Sequence, residues 1–206
     1  SFTLTVNPVN DAPVVDAILN DSVDEDQSYI LEISASDVDG DQLTLTADVD
    51  GNGAASVDGS TLTVTPSQDY NGDIAVTVTA SDGQLLGQSS FTLTVNPVND
   101  APVVDTILND SVDEDQSYIL EISASDVDGD ELVLTADVDG NGAASVDGST
   151  LTVTPSQDYN GDIVVTVTAS DGDLTGQSSF TLTVNPVNDA PVVESYSDTS
   201  IDEDES

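Results

Sequence analysis

The stretch SFTLTVNPVNDAPVV begins at Ser1, returns at Ser90 and returns again at Ser179, so the chain repeats itself every 89 residues. Between the first two copies only six positions differ: Ala17/Thr106, Gln42/Glu131, Thr44/Val133, Ala75/Val164, Gln84/Asp173 and Leu86/Thr175. A repeat this long is a whole small domain rather than one turn of a solenoid. Each unit must therefore close its own core, and two complete units fit in the 206 residues.

Inside a unit the apolar period is two. TLTVT (61–65) sets Leu62 and Val64 against threonines, and DIAVTVTAS (73–81) sets Ile74, Val76, Val78 and Ala80 against Ala75, Thr77 and Thr79. YILEISA (29–35), QLTLTA (42–47) and SFTLTV (90–95) alternate in the same way. Such alternation, rich in β-branched residues and punctuated by turn signals, reads as half-buried antiparallel strands. The predicted strands span 13–18, 28–35, 42–47, 54–57, 60–65, 73–81 and 88–95, with Asp58-Gly59 as a tight-hairpin signal. No stretch reads as a helix. Seven short strands per unit predict an all-β fold: tandem seven-strand antiparallel Greek-key β-sandwiches of immunoglobulin-like type, arranged as a linear rod. Aromatic residues make up 4% of the chain, so Val, Leu, Ile and Ala must build the cores. Tyr70, just ahead of 73–81, fits either a tyrosine corner or a plug beneath its loop. Glu32, facing outward, is expected to be an inert surface acid.

Pro8 and Pro13 bracket VND between units, and proline fixes φ and resists ladder pairing, which predicts a short stiff linker. The expected division is 1–10 as the last strand of a preceding repeat, 11–99 and 100–188 as complete repeats, and 189–206 as the opening of a third.

Charge then narrows the function. Forty-one acids face no Lys, Arg or His, for a net charge of −41. Such a chain cannot neutralise phosphates, so nucleic acid is excluded as a partner, and anionic membranes would repel it. No apolar run reaches membrane-span length and no signal peptide is visible, so direct membrane insertion is not expected. With no Cys there is no disulfide, thiolate nucleophile or zinc–thiolate site. Carboxylates are the only bases, and no cleft is implied for glycoside hydrolysis, the one carboxylate chemistry open to it; the chain does not read as an enzyme.

Topology gathers the acids. In a seven-strand sandwich alternate loops share an end, so SDVDGD (36–41) and SDGQ (81–84) lie beside the incoming linker, while VDEDQ (23–27) and SQDYNGD (67–73) lie at the far end. Stacking two units would collect Glu25, Asp26 and Asp69 with the linker pair Asn99 and Asp100 and with Asp126, Asp128, Asp130 and Asp171. The outer ends of the chain carry the matching sets: Asn10, Asp11, Asp37, Asp39, Asp41 and Asp82 at the front, and Glu114, Asp115, Asp158, Asn188 and Asp189 at the back, with Glu203 as the counterpart of Glu25 and Glu114 in the opening of the third repeat. Two unit charges about 5 Å apart repel by roughly 3 kcal/mol at an effective dielectric of about 20. Several together require a cation. All the donors are oxygens, which selects a hard ion, and calcium takes 6–8 such ligands in flexible geometry where magnesium demands a tight octahedron. The competing explanation, a uniformly acidic salt-adapted surface, accounts for the charge but not for threonine on the strands and acid in the loops. DVDGNG (48–53) reads as a turn rather than another site.

Together VNDAP in the linker, DED at 24–26, DVDGD at 37–41 and ASDG at 80–83 resemble the calcium motifs of cadherin repeats, and more closely the cadherin-like tandem repeats of giant bacterial surface adhesins of the repeats-in-toxin type. That resemblance implies β-sandwiches with Ca2+ between neighbouring repeats and a role in extending a binding domain away from the cell. It places Glu25 and Glu114 as the family's glutamate, Asp37/Asp39 and Asp126/Asp128 as its paired aspartates, and Asp82 and Asp171 as its aspartate after the long strand. Asn10/Asp11 and Asn99/Asp100 match its linker pair, without the family's second linker asparagine. Three functions follow as expectations: a calcium-stiffened extender of a secreted, extracellular adhesin, a calcium-dependent module binding sugar or protein, and homophilic adhesion. The third needs an anchor such as a swapped tryptophan, and Trp is absent. Near-identical units favour the extender, a monomeric rod whose partners are its neighbouring repeats.

Overall fold

The computed structural model describes residues 2–191, 193 and 203. Two compact units divide at Asn99/Asp100, and no helix occurs among the described residues. The first unit is built from β1 (Val14–Val15), β2 (Asp21–Asp24), β3 (Tyr29–Glu32), β4 (Ala35–Ser36), β5 (Thr44–Val49), β6 (Gly53–Asp58), β7 (Thr61–Pro66), β8 (Gly72–Ser81) and β9 (Leu86–Asn96). A four-stranded sheet β2-β9-β8-β5 faces a three-stranded sheet β3-β7-β6, with β1 and β4 as a separate short ladder. The second unit repeats this order from β10 (Val103–Val104) to β18 (Thr175–Asn185), 89 positions on.

The buried faces are those the alternation predicts. Leu62 and Val64 of β7, Ile74, Val76, Val78 and Ala80 of β8, and Phe91, Leu93 and Val95 of β9 form one core with Val15 and Ile33. Each such Val, Leu, Ile or Phe side chain, taken fully from water, contributes about 1.5–3 kcal/mol. Tyr29 packs on Phe91 with ring centroids 6.1 Å apart and planes tilted by 47°, an arrangement aromatic pairs favour. The hairpin between β6 and β7 turns through Gly59-Ser60, with Asp58 opposite Thr61 and φ +63° at Gly59, the glycine-first form of a two-residue loop.

Two predicted strands divide, and 28–35 becomes β3 and β4. The run 13–18 splits into β1, antiparallel to β4, and a crossing segment that delivers β2 to the other sheet, where it runs parallel to β9 from Asp21↔Leu93 to Asp24↔Asn96. The antiparallel expectation thus holds for every pair of the unit but this edge. Asn20 Oδ1 accepts the Thr92 N–H at 2.9 Å and pins the crossing onto β9. The consequence for the acids is direct: β2 ends at Asp24, so Glu25 stands against the chain leaving β9.

Glu32 is not inert. Its carboxylate accepts hydrogen bonds from Ser60 Oγ at 2.7 Å and Thr61 Oγ1 at 2.6 Å, tying β3 to the β6–β7 turn. Thr61 first and Ser60 second hold this carboxyl below the ordinary glutamate value of 4.5. A carboxyl depressed on folding adds stability that is complete above its ordinary pKa and is lost as pH falls through its lower folded value. Glu32→Ala should therefore lower the melting temperature at pH 7, and the difference from wild type should close below pH 4.5. Parallel melting curves across that range would remove these bonds from the account.

Candidate metal centre

Each unit carries acids at both ends of its long β8-type strand. Ten residues rising about 3.3 Å each put roughly 30 Å between the loop before β8, holding Asp69, and the loop after it, holding Asp82.

At the end that receives the linker, backbone and side chains order the carboxylates before any ion is considered. In the first unit the Asp11 N–H donates to Asp39 Oδ2 at 2.8 Å, and the Asp39 N–H donates to Asp37 Oδ1 at 2.8 Å. Asn10 Nδ2 donates to Asp82 Oδ2 at 2.7 Å. The other oxygen of Asp82 accepts the N–H groups of Gln84 and Leu85, both at 2.6 Å. Leu85 and Gln84, then the Asn10 amide, hold the Asp82 carboxyl below its ordinary range. It therefore stays charged, as a ligand must. The second unit repeats the pattern: Asp100 N–H to Asp128 Oδ2 at 2.9 Å, Asp128 N–H to Asp126 Oδ1 at 2.9 Å, and Asp171 Oδ1 accepting Asp173 and Leu174 at 2.7 and 2.6 Å. There the carboxylates of Asp126, Asp128 and Asp130 bring one oxygen each within 4.8 Å of one another. Asp41, the first unit's equivalent of Asp130, is exposed.

One oxygen in each unit tests the fit to a cation. Asp37 Oδ2 and Asp126 Oδ2 are buried and have no hydrogen-bond partner. A buried polar atom left unmatched costs about 1–3 kcal/mol, more when charged. No Lys, Arg or His exists in the chain to meet it, so the missing partner has to come from outside. An oxygen-only set with an orphaned carboxylate oxygen suits a hard divalent ion.

At the opposite end the backbone itself is held in an uncommon conformation. Asp26 and Asp69 have φ of +58° and +55°, and the Asp69 N–H donates to Asp26 Oδ1 at 3.2 Å. Asp115 and Asp158 match them at +63° and +55°, joined at 3.1 Å. Aspartate tolerates this left-handed region better than most residues, and cost of this kind collects at functional sites. Glu25 and Glu114 are buried, with 3% and 6% exposure. Glu25 Oε1 accepts the Val98 N–H at 2.5 Å, and Glu114 Oε1 accepts the Val187 N–H, so each fixes the chain just past its β9-type strand. In the second unit Asp115, Asp158 and Asp189 place an oxygen each within 4.8 Å of one another. Desolvation first, and then the charges of Asp158, Glu114 and Asp115, push the Asp189 carboxyl upward. Asn188 Nδ2 caps the Asp189 carbonyl at 3.1 Å, and Glu203 is exposed. The linker pair Asn99 and Asp100 stands at the division of the two units.

Several supporting groups carry no signal in the sequence: the N–H groups of Leu85, Gln84 and Val98 are backbone, which every residue has. Tyr70 is the exception. It packs against the core beneath its loop, as a plug would, and its Oη donates to the Asp73 carbonyl at 3.0 Å, three residues downstream, whereas a tyrosine corner bonds upstream. Gly72 makes room for it, since a Cβ there would lie 2.9 Å from Tyr70 Oη at a φ of +132°. Gly72→Ala should cost about 2 kcal/mol in urea unfolding. An unchanged midpoint would show that the Tyr70 plug does not hold the Asp69 loop.

The profile of the Cadherin-like domain matches residues 9–96 and 98–185. No curated protein matches the sequence. Among solved structures, Drosophila N-cadherin EC1-4 is similar at 19% identity and a TM-score of 0.52, over 87% of this chain and 50% of that one. Human protocadherin-24 EC1-2 is similar at 18% identity and a TM-score of 0.50, over 86% of this chain and 100% of that one. An endo-fucoidan hydrolase of glycoside hydrolase family 107 gives a TM-score of 0.42 at 20% identity, over 89% of this chain and 30% of that one. At such identities these similarities concern the fold alone. The matched profile spans both units and most of the chain, and the chain belongs to the cadherin-like domain family, in two tandem copies.

Proposed function

We propose that these repeats are a calcium-stiffened extender of a secreted bacterial cell-surface adhesin of the repeats-in-toxin type, a spacer that projects a binding domain lying elsewhere in the protein. Cadherin-like domains generally bind calcium and are typically extracellular and non-enzymatic, and an extender or adhesion role fits them. The observation that carries the reading is the buried, unpartnered oxygen of Asp37 and of Asp126 in a chain that contains no cationic residue. Calcium, when bound, supplies positive charge that several carboxylates can share.

The chain's own residues do the positioning. Asp37, Asp39, Asp82 and their counterparts would hold the ion on the linker side, and Glu25, Asp26, Asp69 and theirs on the other. Equivalents of one linker aspartate engage both kinds of site: Asp11 and Asp100 reach Asp39 and Asp128, while Asp189 sits with Asp115 and Asp158. We place calcium between neighbouring repeats on that basis, with the linker aspartate shared. The repeats then associate with their own neighbours, as a monomeric rod.

Asp100→Ala should weaken calcium binding by about ten-fold or more in calorimetric titration, since even partners outside a metal's ligand shell are worth about 10–100-fold in affinity. Asp137→Ala, exposed on the strand face, should leave the isotherm unchanged. Equal effects would dissolve the grouping of loops. Small-angle scattering should report an elongated monomer in millimolar calcium that loosens with chelator.

A ligand-binding module is the second reading. It draws on a groove between segment 16–20 and β3, about 500 Å³, repeated at about 540 Å³ in the second unit. Leu19 and Leu108 are exposed at its edge. Saturable binding of a sugar or protein to a single unit would favour it over the extender.

A further inference from the structure

The six differences between the units are not scattered in their electrical effect. Ala17/Thr106, Thr44/Val133, Ala75/Val164 and Leu86/Thr175 change no charge. Gln42/Glu131 and Gln84/Asp173 do, both add a negative charge to the second unit, and both flank the loops at the linker-receiving end. Glu131 directly follows Asp130, whose carboxylate gathers with those of Asp126 and Asp128. Asp173 follows Asp171 by two residues, and its N–H donates to Asp171 Oδ1 at 2.7 Å.

The exchanges leave the local structure alone. Gln84 and Asp173 make the same backbone bond, at 2.6 and 2.7 Å, around glycines of φ +94° and +109°. All four side chains are exposed. Thr44/Val133 and Leu86/Thr175 also pair at the base of these loops but are neutral, so the charge difference between the two ends comes from the Gln42/Glu131 and Gln84/Asp173 exchanges.

We infer that Glu131 and Asp173 tune cation affinity, so that the linker-side end of the second unit binds calcium more tightly than that of the first, where Gln42 and Gln84 stand. The inference rests on the calcium reading above. Neither residue is assigned as a ligand; each adds field at a site other carboxylates build. A fixed charge near a divalent ion acts through solvent, so its effect is moderate and screened by salt. The repeats would then load in order as calcium rises rather than all together.

The test uses the whole chain and calcium chloride in calorimetric titration. Glu131→Gln with Asp173→Gln installs the first unit's own residues, which the fold already accepts. This double variant should lose about ten-fold in affinity at low salt and about three-fold at 0.15 M. The reciprocal Gln42→Glu with Gln84→Asp should tighten the weaker binding step. Asp105→Asn with Asp137→Asn removes the same charge from mid-sandwich positions and should change little. An isotherm unmoved by the first double variant, or moved equally by the control pair, overturns the inference while calcium binding stands. Absence of saturable calcium binding in the unaltered chain instead removes the calcium reading itself.

Discussion

Excess chelator should lower the melting temperature of this protein by about 10–20 °C, and calcium should restore it. An ion that binds only the folded state stabilises it by RT ln(1 + [L]/Kd), which reaches about 2.7 kcal/mol at a hundred-fold excess over Kd. In a domain of this size each kcal/mol moves the transition by about 4–8 °C. The physical source is the acid at the unit ends: Glu25 and Glu114 buried, Asp37 and Asp126 each with an unmatched oxygen, and no cationic side chain to relieve them. Magnesium at equal concentration should recover less, because it gives up water reluctantly and wants a tighter octahedron. Acid should act as chelator does, since carboxylate ligands must be deprotonated to bind. Scanning calorimetry with and without chelator decides it. A transition indifferent to chelator would leave the salt-adapted surface as the account of the charge.

Gly87→Ala and Gly176→Ala should each cost about 3 kcal/mol and weaken calcium binding as well. A Cβ on Gly87 would fall 1.8 Å from the Pro13 carbonyl oxygen, and one on Gly176 would fall 1.7 Å from that of Pro102. These neighbours are backbone, so no side-chain rotation relieves the overlap and the linker itself must lift. Asn10 and Asp11, three and two residues before Pro13, hold Asp82 and Asp39, so lifting the linker disturbs the ligands too. Urea unfolding and calorimetric titration of each variant check the two effects together. A variant that loses stability but keeps full calcium affinity would separate the linker seat from the site.

The repeat, the period of two and the crowding of acid into loops are short-range properties, and each is written in consecutive letters. They were enough for the sandwich, for the core on β7, β8 and β9, and for the two acidic ends of each unit. The parallel β2–β9 edge was not legible, because which sheet a strand joins depends on a partner some 70 residues away and DAILN carries no periodic mark of the crossing. Glu32 looked inert for the same reason: its partners Ser60 and Thr61 are near only after folding. The clamps on Asp82 and Glu25 are backbone N–H groups, identical in every residue but proline, so composition cannot reveal them. Gly87 likewise reads as one more glycine until the Pro13 carbonyl lies against it. Sequence determined which residues carry charge and where apolar faces repeat; tertiary structure alone decided which backbone donors meet those charges, because that depends on chain paths brought together from distant positions.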